Sequence, residues 1–128
     1  MEAITGAPAT ALVNSLLSAV AGKDLEGGLS AIHTAGGQNI DMKIFLKLVL
    51  KKLRVVLLLK FSESTAKEFM EDLTEDDRKF LSALAKEHSG NISSSALVAL
   101  LDAYGRIDYA FIPELPLELS LIKIINKD

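Results

Sequence analysis

The chain has 128 residues, the size of one ordinary domain, and folding at that length removes roughly two thirds of the unfolded surface from water. It is 49% hydrophobic but only 5% aromatic and has no Trp, so its core must be built from Leu, Ile, Val and Ala, which favours packed helices over a sheet sandwich. A net charge of -3 supplies no overall basic field for nucleic acid, and the lack of Cys excludes disulfides and thiolate metal sites. That cysteine usage suits a cytoplasmic protein. The first residues place an acid, Glu2, where an export signal carries positive charge, so no export signal is expected.

Residues 1–9 are small and turn-forming and read as a flexible tail or the stub of a linker, leaving 10–128 as a single helical domain. Thr10 is the expected cap of a first helix carrying Leu12, Val13, Leu16, Leu17 and Val20 at helical spacing and ending at Gly22. Asp24 is the expected cap of a second helix with Leu25, Leu29 and Ile32 on one face, stopped by Gly36 and Gly37. Those glycines lack the lysine and the spacing of a phosphate-binding loop.

Asp41 then opens the longest apolar stretch, "DMKIFLKLVLKKLRVVLLLK", with Ile40 and Phe45 placed as a hydrophobic staple. At 100° per residue Lys43, Lys47, Lys51 and Arg54 share a narrow sector, while Met42, Phe45, Leu46, Val49, Leu53 and Val56 lie elsewhere. No uncharged run approaches the ~20 residues of a bilayer span, and each central Lys or Arg costs about 2.5–3.5 kcal/mol to insert. A membrane span is therefore excluded. Lys52 lies off the stripe and Lys60 near the helix end, where their stems are expected to carry both charges to water. The stripe itself suits a solvated face, a seat for phosphates or a contact for an acidic partner. No aromatic residue is seen to interleave it for base stacking.

The stretch "SESTAKEFMEDL" is expected to be a polar link with one or two helical turns that bring Phe69 and Met70 inward. Thr74 caps the next helix, with Asp77 in capping-box position, Glu75 and Asp76 complementing the helix dipole, and Phe80, Leu81 and Leu84 buried. Ser89-Gly90-Asn91 ends it. A helix capped by Ser93 follows, with Ile92 and Leu97 as a staple and Leu97, Val98, Leu100, Leu101 and Tyr104 on its apolar side. The chain bends around Pro113 and Pro116, and a last helix runs from Pro116 through Leu117, Leu121, Ile124 and Ile125. Its alternating "LPLELSLIKI" also reads as a strand, against which Pro116 removes a ladder donor. The fold class is thus all-α, a bundle of about six to seven helices around a long central one.

No catalytic constellation is present. His33 and His88 stand alone in their helices, and the acids of "EDLTEDD" lack the alternation and central glycine of a calcium loop. The serines form no nucleophile elbow, and no G-x-x-x-x-G-K-[ST] occurs. No cofactor or metal ion is expected.

The tail "ALLDAYGRIDYAFIPELPLELSLIKI" resembles the end of the third domain of the bacterial DNA polymerase III gamma/tau subunit. That family closes with an Arg-hydrophobic-x-Tyr element, a proline-containing turn and a Leu-x-Leu-Glu-x-x-Leu-Leu helix. The matching residues are Arg106, Ile107, Tyr109, Pro113, Leu115, Leu117, Glu118, Leu121 and Ile122. The long-helix pattern F-L-x-x-L-x-x-x-L-R-x-L-L-L-x-K matches from Phe45 to Lys60, and the order of the earlier helices agrees. The resemblance implies a non-catalytic collar domain of a clamp-loader ATPase, lacking here the ATPase and zinc-binding portions, as an excised C-terminal segment would. It implies other clamp-loader subunits or copies of the chain as partners, DNA only indirectly, and no membrane. Candidate subunit or partner contacts are Lys43, Lys47, Lys51 and Arg54 of the stripe, with Arg106, Tyr109, Phe111 and Glu118 of the tail. The residues alone also suit a free-standing helical adaptor or a nucleic-acid-binding module that uses the stripe.

Overall fold

A computed structural model describes residues 9–87 and 92–126. Among these there are seven α-helices and no strand. They are α1 (Ala9–Gly22), α2 (Leu25–Gly37), α3 (Met42–Phe61), α4 (Glu63–Met70), α5 (Glu75–Glu87), α6 (Ser94–Arg106) and α7 (Leu115–Asn126), with a short 3-10 turn at Ile107–Tyr109 between the last two. The all-α bundle expected from the sequence is borne out, and "LPLELSLIKI" is helical. No helix among the described residues is long and apolar enough to cross a membrane.

Helix α3 is the axis. Its 20 residues span about 30 Å, and α1, α2, α4, α5 and α6 all pack against it. Asp41 caps it as expected: the carboxylate accepts the backbone N–H of Lys43 at 2.8 Å and of Ile44 at 3.3 Å. Phe45, Leu46, Val49, Leu53 and Val56 are wholly buried, and full burial of each such side chain stabilises the fold by roughly 1.5–3 kcal/mol. Helix α7 packs on α6, α2 and α1, so the C-terminus closes back onto the N-terminal pair. Gly28 allows that closure, because a Cβ there would collide with the Leu121 side chain. Ser120 fastens α7 to α6 by donating its hydroxyl to the Ala99 carbonyl at 3.1 Å.

The first helix already includes Ala9, so Thr10 lies inside it and does not cap it. Helices α1 and α2 end at Gly22 and Gly37 as expected, but the left-handed residue that closes each is not a glycine. After α1 the left-handed residue is Lys23 (φ 57), not Gly22, and Asp24 N–H donates to the Ala19 carbonyl at 2.8 Å. After α2 it is Asn39 (φ 60), with Ile40 N–H donating to the Ala35 carbonyl at 3.0 Å, and Gly36 and Gly37 belong to the helix. Both ends are Schellman motifs with a non-glycine at the left-handed position. Asp24 caps α2 through the Gly27 N–H, but the buried side of α2 is Gly28, Ala31, Ile32 and Ala35, with Leu25 and Leu29 only half-buried. Small residues face inward because α1 and α7 both approach there.

The charges of Lys52 and Lys60 do not run free to water. Lys52 is buried, donating to Asn14 Oδ1 at 2.9 Å and pairing with Asp77 Oδ2 at 3.3 Å. Asn14 Nδ2 in turn donates to Asp77 Oδ1 at 3.5 Å, so one polar triad ties α1, α3 and α5 together. A desolvated ammonium is tolerated there because both partners converge on it. Lys60 Nζ donates to the Ile92 carbonyl at 2.6 Å. Asp77 also takes the N-terminal role foreseen for its backbone, donating its N–H to Thr74 Oγ1 at 3.1 Å.

In α5, Leu81 and Leu84 are buried and Phe80 is half-buried; in α4, Ala66 is the buried residue, and Met70 is half-buried. Ser93 caps α6 through the Ala96 N–H at 3.3 Å, with Ile92 buried beside it. The Ser89-Gly90-Asn91 stop, His88 and residues 1–8 of the expected tail lie outside the described residues.

Candidate subunit interface

Helix α6 buries Ala96, Leu100 and Ala103, and this line continues into Ile107 of the 3-10 turn. Val98 and Leu101, expected inside, are therefore turned out, 63% and 52% exposed. Helix α6 has apolar residues around most of its circumference, and α3 and α7 cover only part of it. In α7 the inward residues are Pro116, Leu117, Ser120 and Leu121, which leaves Leu115 and Leu119 facing solvent at 38% and 58%. The segment between the two helices turns sharply before α7 and projects Tyr109 (89% exposed), Phe111 (94%) and Ile112. A large aromatic side chain that is almost wholly hydrated has no packing role in the free domain.

Leu119 joins two grooves, one between α6 and α7 lined with Val98, Asp102, Arg106 and Lys123, and a second between α2 and α7 lined with Leu29, His33, Leu115 and Glu118. Arg106, paired with Asp102 at 2.8 Å on the solvent side, and the half-buried Glu118 give an apolar centre a polar rim. Of the residues nominated from sequence, the fold places Arg106 and Glu118 on the two grooves that share Leu119, and leaves Tyr109 and Phe111 exposed on the segment leading into α7. To the grooves it adds Val98, Leu115 and Leu119, with Leu101 and Ile112 exposed elsewhere on α6 and the connecting segment; their signal was an excess of apolar positions over what one helix face can bury. His33, isolated in the sequence, is exposed at the edge of the second groove.

The basic stripe does not behave as one unit. Its first member, Lys43, bonds Asp108 Oδ2 at 2.7 Å and lies 5.4 Å from the Tyr104 ring centroid, which anchors the 3-10 turn to the start of α3. The Asp108 hydrogen bond, then its charge, holds the Lys43 ammonium pKa above the ordinary lysine value. Lys47 and Lys51 are exposed and have no ion-pair partner among the described residues. Arg54 lies over the ring of Phe69, 4.2 Å from its centroid. Phe69 is therefore not drawn into the core as expected but is 38% exposed beneath that guanidinium. Among the described residues no group of three or more His, Cys, Asp or Glu side chains could hold a metal ion.

The arrangement is that of an all-helical module centred on α3 whose last two helices leave several apolar residues exposed among the described residues. The family model for DNA polymerase III subunits gamma and tau domain III matches residues 1–128, and the chain belongs to that family. No curated protein and no solved structure matches the chain.

Proposed function

We propose that this domain is an oligomerisation, or collar, domain that holds a gamma/tau subunit in the clamp-loader complex, supporting loading of the sliding clamp during DNA replication. Membership of the gamma/tau domain III family gives the complex. The observation that carries the assembly role is the set of apolar residues left exposed on α6, the 107–114 segment and α7, among them Val98, Phe111 (94% exposed) and Leu119. Burying such residues against a neighbour offers the hydrophobic gain that the free domain forgoes. The partners are other clamp-loader subunits or further copies of the chain. The domain acts in the cytoplasm, has no catalytic part of its own and works beside an ATPase portion, and residues 10–128 form the domain behind a short tail.

Sedimentation velocity of the chain alone and mixed with other clamp-loader subunits tests this. Association is expected, and Phe111→Asp with Leu119→Asp weakens it by about 30-fold or more, the effect of losing a buried interface anchor. A chain that stays monomeric and binds none of those subunits sinks the reading.

A further inference from the structure

The outer face of α3 carries more than charge. Phe61 stands seven residues after Arg54, two turns along the same line of the helix, and is 77% exposed. Behind it the Lys60 ammonium sits 5.3 Å from its ring centroid while bonded to the Ile92 carbonyl, so the ring is backed by a fixed group. Phe69 of α4 brings a second ring to the stripe, flat beneath Arg54. The sequence pattern along α3 shows no interleaved aromatic, but tertiary packing supplies one from α4 and leaves another uncovered at the helix end. Lys47, Lys51, Arg54 and Phe61 then lie in order over roughly 21 Å of helix.

From this we infer that the outer face of α3, with Phe69 beside it, binds single-stranded nucleic acid directly: Lys47, Lys51 and Arg54 contact successive phosphates and Phe61 stacks on a base. Exposed cations with no internal partner are free to replace the counterions of a phosphodiester chain. An exposed phenyl ring adds affinity only for bases that are unstacked, which selects a single strand over a duplex. Arg54 is already oriented by Phe69, so it loses little freedom on binding. This site goes beyond the assembly role and makes the contact with DNA direct rather than indirect. Lys43 ties the start of this face to the 107–109 turn, and Lys47, Lys51, Arg54 and Phe61 lie about one to five turns further along α3, so the two sites are addressed by different substitutions.

The test is fluorescence anisotropy of a labelled oligothymidine of about 15 nucleotides against the full 128-residue chain. Binding is expected, and three phosphate contacts make it roughly 20-fold weaker on going from about 50 mM to about 200 mM salt. Lys47→Glu with Lys51→Glu abolishes it, and Phe61→Ala weakens it by about fivefold or more. Circular dichroism and thermal melting confirm that these exposed substitutions leave the helices intact. Phe111→Asp with Leu119→Asp retains oligonucleotide binding, which separates this site from the assembly face. The inference is overturned by absence of binding at low salt, or by binding that the double charge reversal leaves unchanged. Duplex binding as tight as single-strand binding and indifferent to Phe61 also overturns it. So does a charge reversal that breaks association with clamp-loader subunits when no oligonucleotide binds, since the stripe is then a protein contact.

Discussion

Helices α3 and α7 are both dense in Leu and Ile, and they differ in how many neighbours they have. Five helices surround α3, so only the Lys43 to Phe61 sector stays in water. Helix α7 rests on α6, α2 and α1, and among the described residues its second apolar line, Leu115 and Leu119, stays 38% and 58% exposed. Apolar content therefore does not say whether a helix is central or is waiting for a partner. The number of elements packed against it does, and that is set by the path of the whole chain.

One substitution on the inner side of α3 and one on the outer side of α7 put the contrast to its strongest test. Phe45→Ala, in the middle of the core, costs about 3–5 kcal/mol in chemical denaturation of the isolated chain. Leu119→Asp changes that stability by less than about 0.5 kcal/mol while weakening association with partner subunits. If Leu119→Asp unfolds the free chain, the outer line of α7 is core after all and the comparison fails.

The next effect separates the lysines of α3. Asp77→Ala leaves the Lys52 ammonium buried with Asn14 as its remaining partner, and a loss of about 2–3 kcal/mol is expected, somewhat below that for a fully sealed pair. Lys52→Met, which removes the charge along with its need for a partner, is close to neutral by the same melts. An equal loss from both variants denies the triad its role.

Smaller changes sharpen the picture at the helix ends. Asp41→Ala strips two N–H groups of α3 of their acceptor and lowers stability by about 1 kcal/mol. Lys23→Gly relieves a side chain held at φ 57 and raises the melting temperature, by about 0.5–1 kcal/mol in stability. The smallest effect belongs to Lys43 and Asp108. Because the folded pKa of Lys43 is raised, the contribution of the pair is complete below the ordinary lysine value of 10.5 and fades as pH climbs through the raised one. Both side chains are well exposed, so salt screens the pair. Comparing Lys43→Met with the parent protein across alkaline pH should show their small stability gap closing at the high end.

Legibility followed how local each cause was. Asp24, Asp41, Thr74 and Ser93 act on backbone a few residues away, and each was found as a cap. The periodic leucines of α1 and α3 named their own buried faces. The proposed subunit surface was half legible: Tyr109 belongs to the motif of the resemblance and Phe111 follows it in the same tail, while Val98, Leu101 and Leu119 share a spacing with core residues. Lys52 was misread because a lysine stem explains either snorkelling or burial until Asn14 and Asp77 arrive from other helices.

The all-α class, the central place of α3, most helix starts and the exclusion of a membrane span follow from local pattern, because periodicity, caps and charge spacing act within a turn or two of the chain. Which apolar faces find a neighbour, which lysines go inward, and which aromatic rings stand beside the basic stripe are settled by packing between distant helices. Those outcomes depend on residues 38 or 63 positions apart meeting in space, as Lys52 with Asn14 and Asn14 with Asp77 do. No local pattern encodes such meetings.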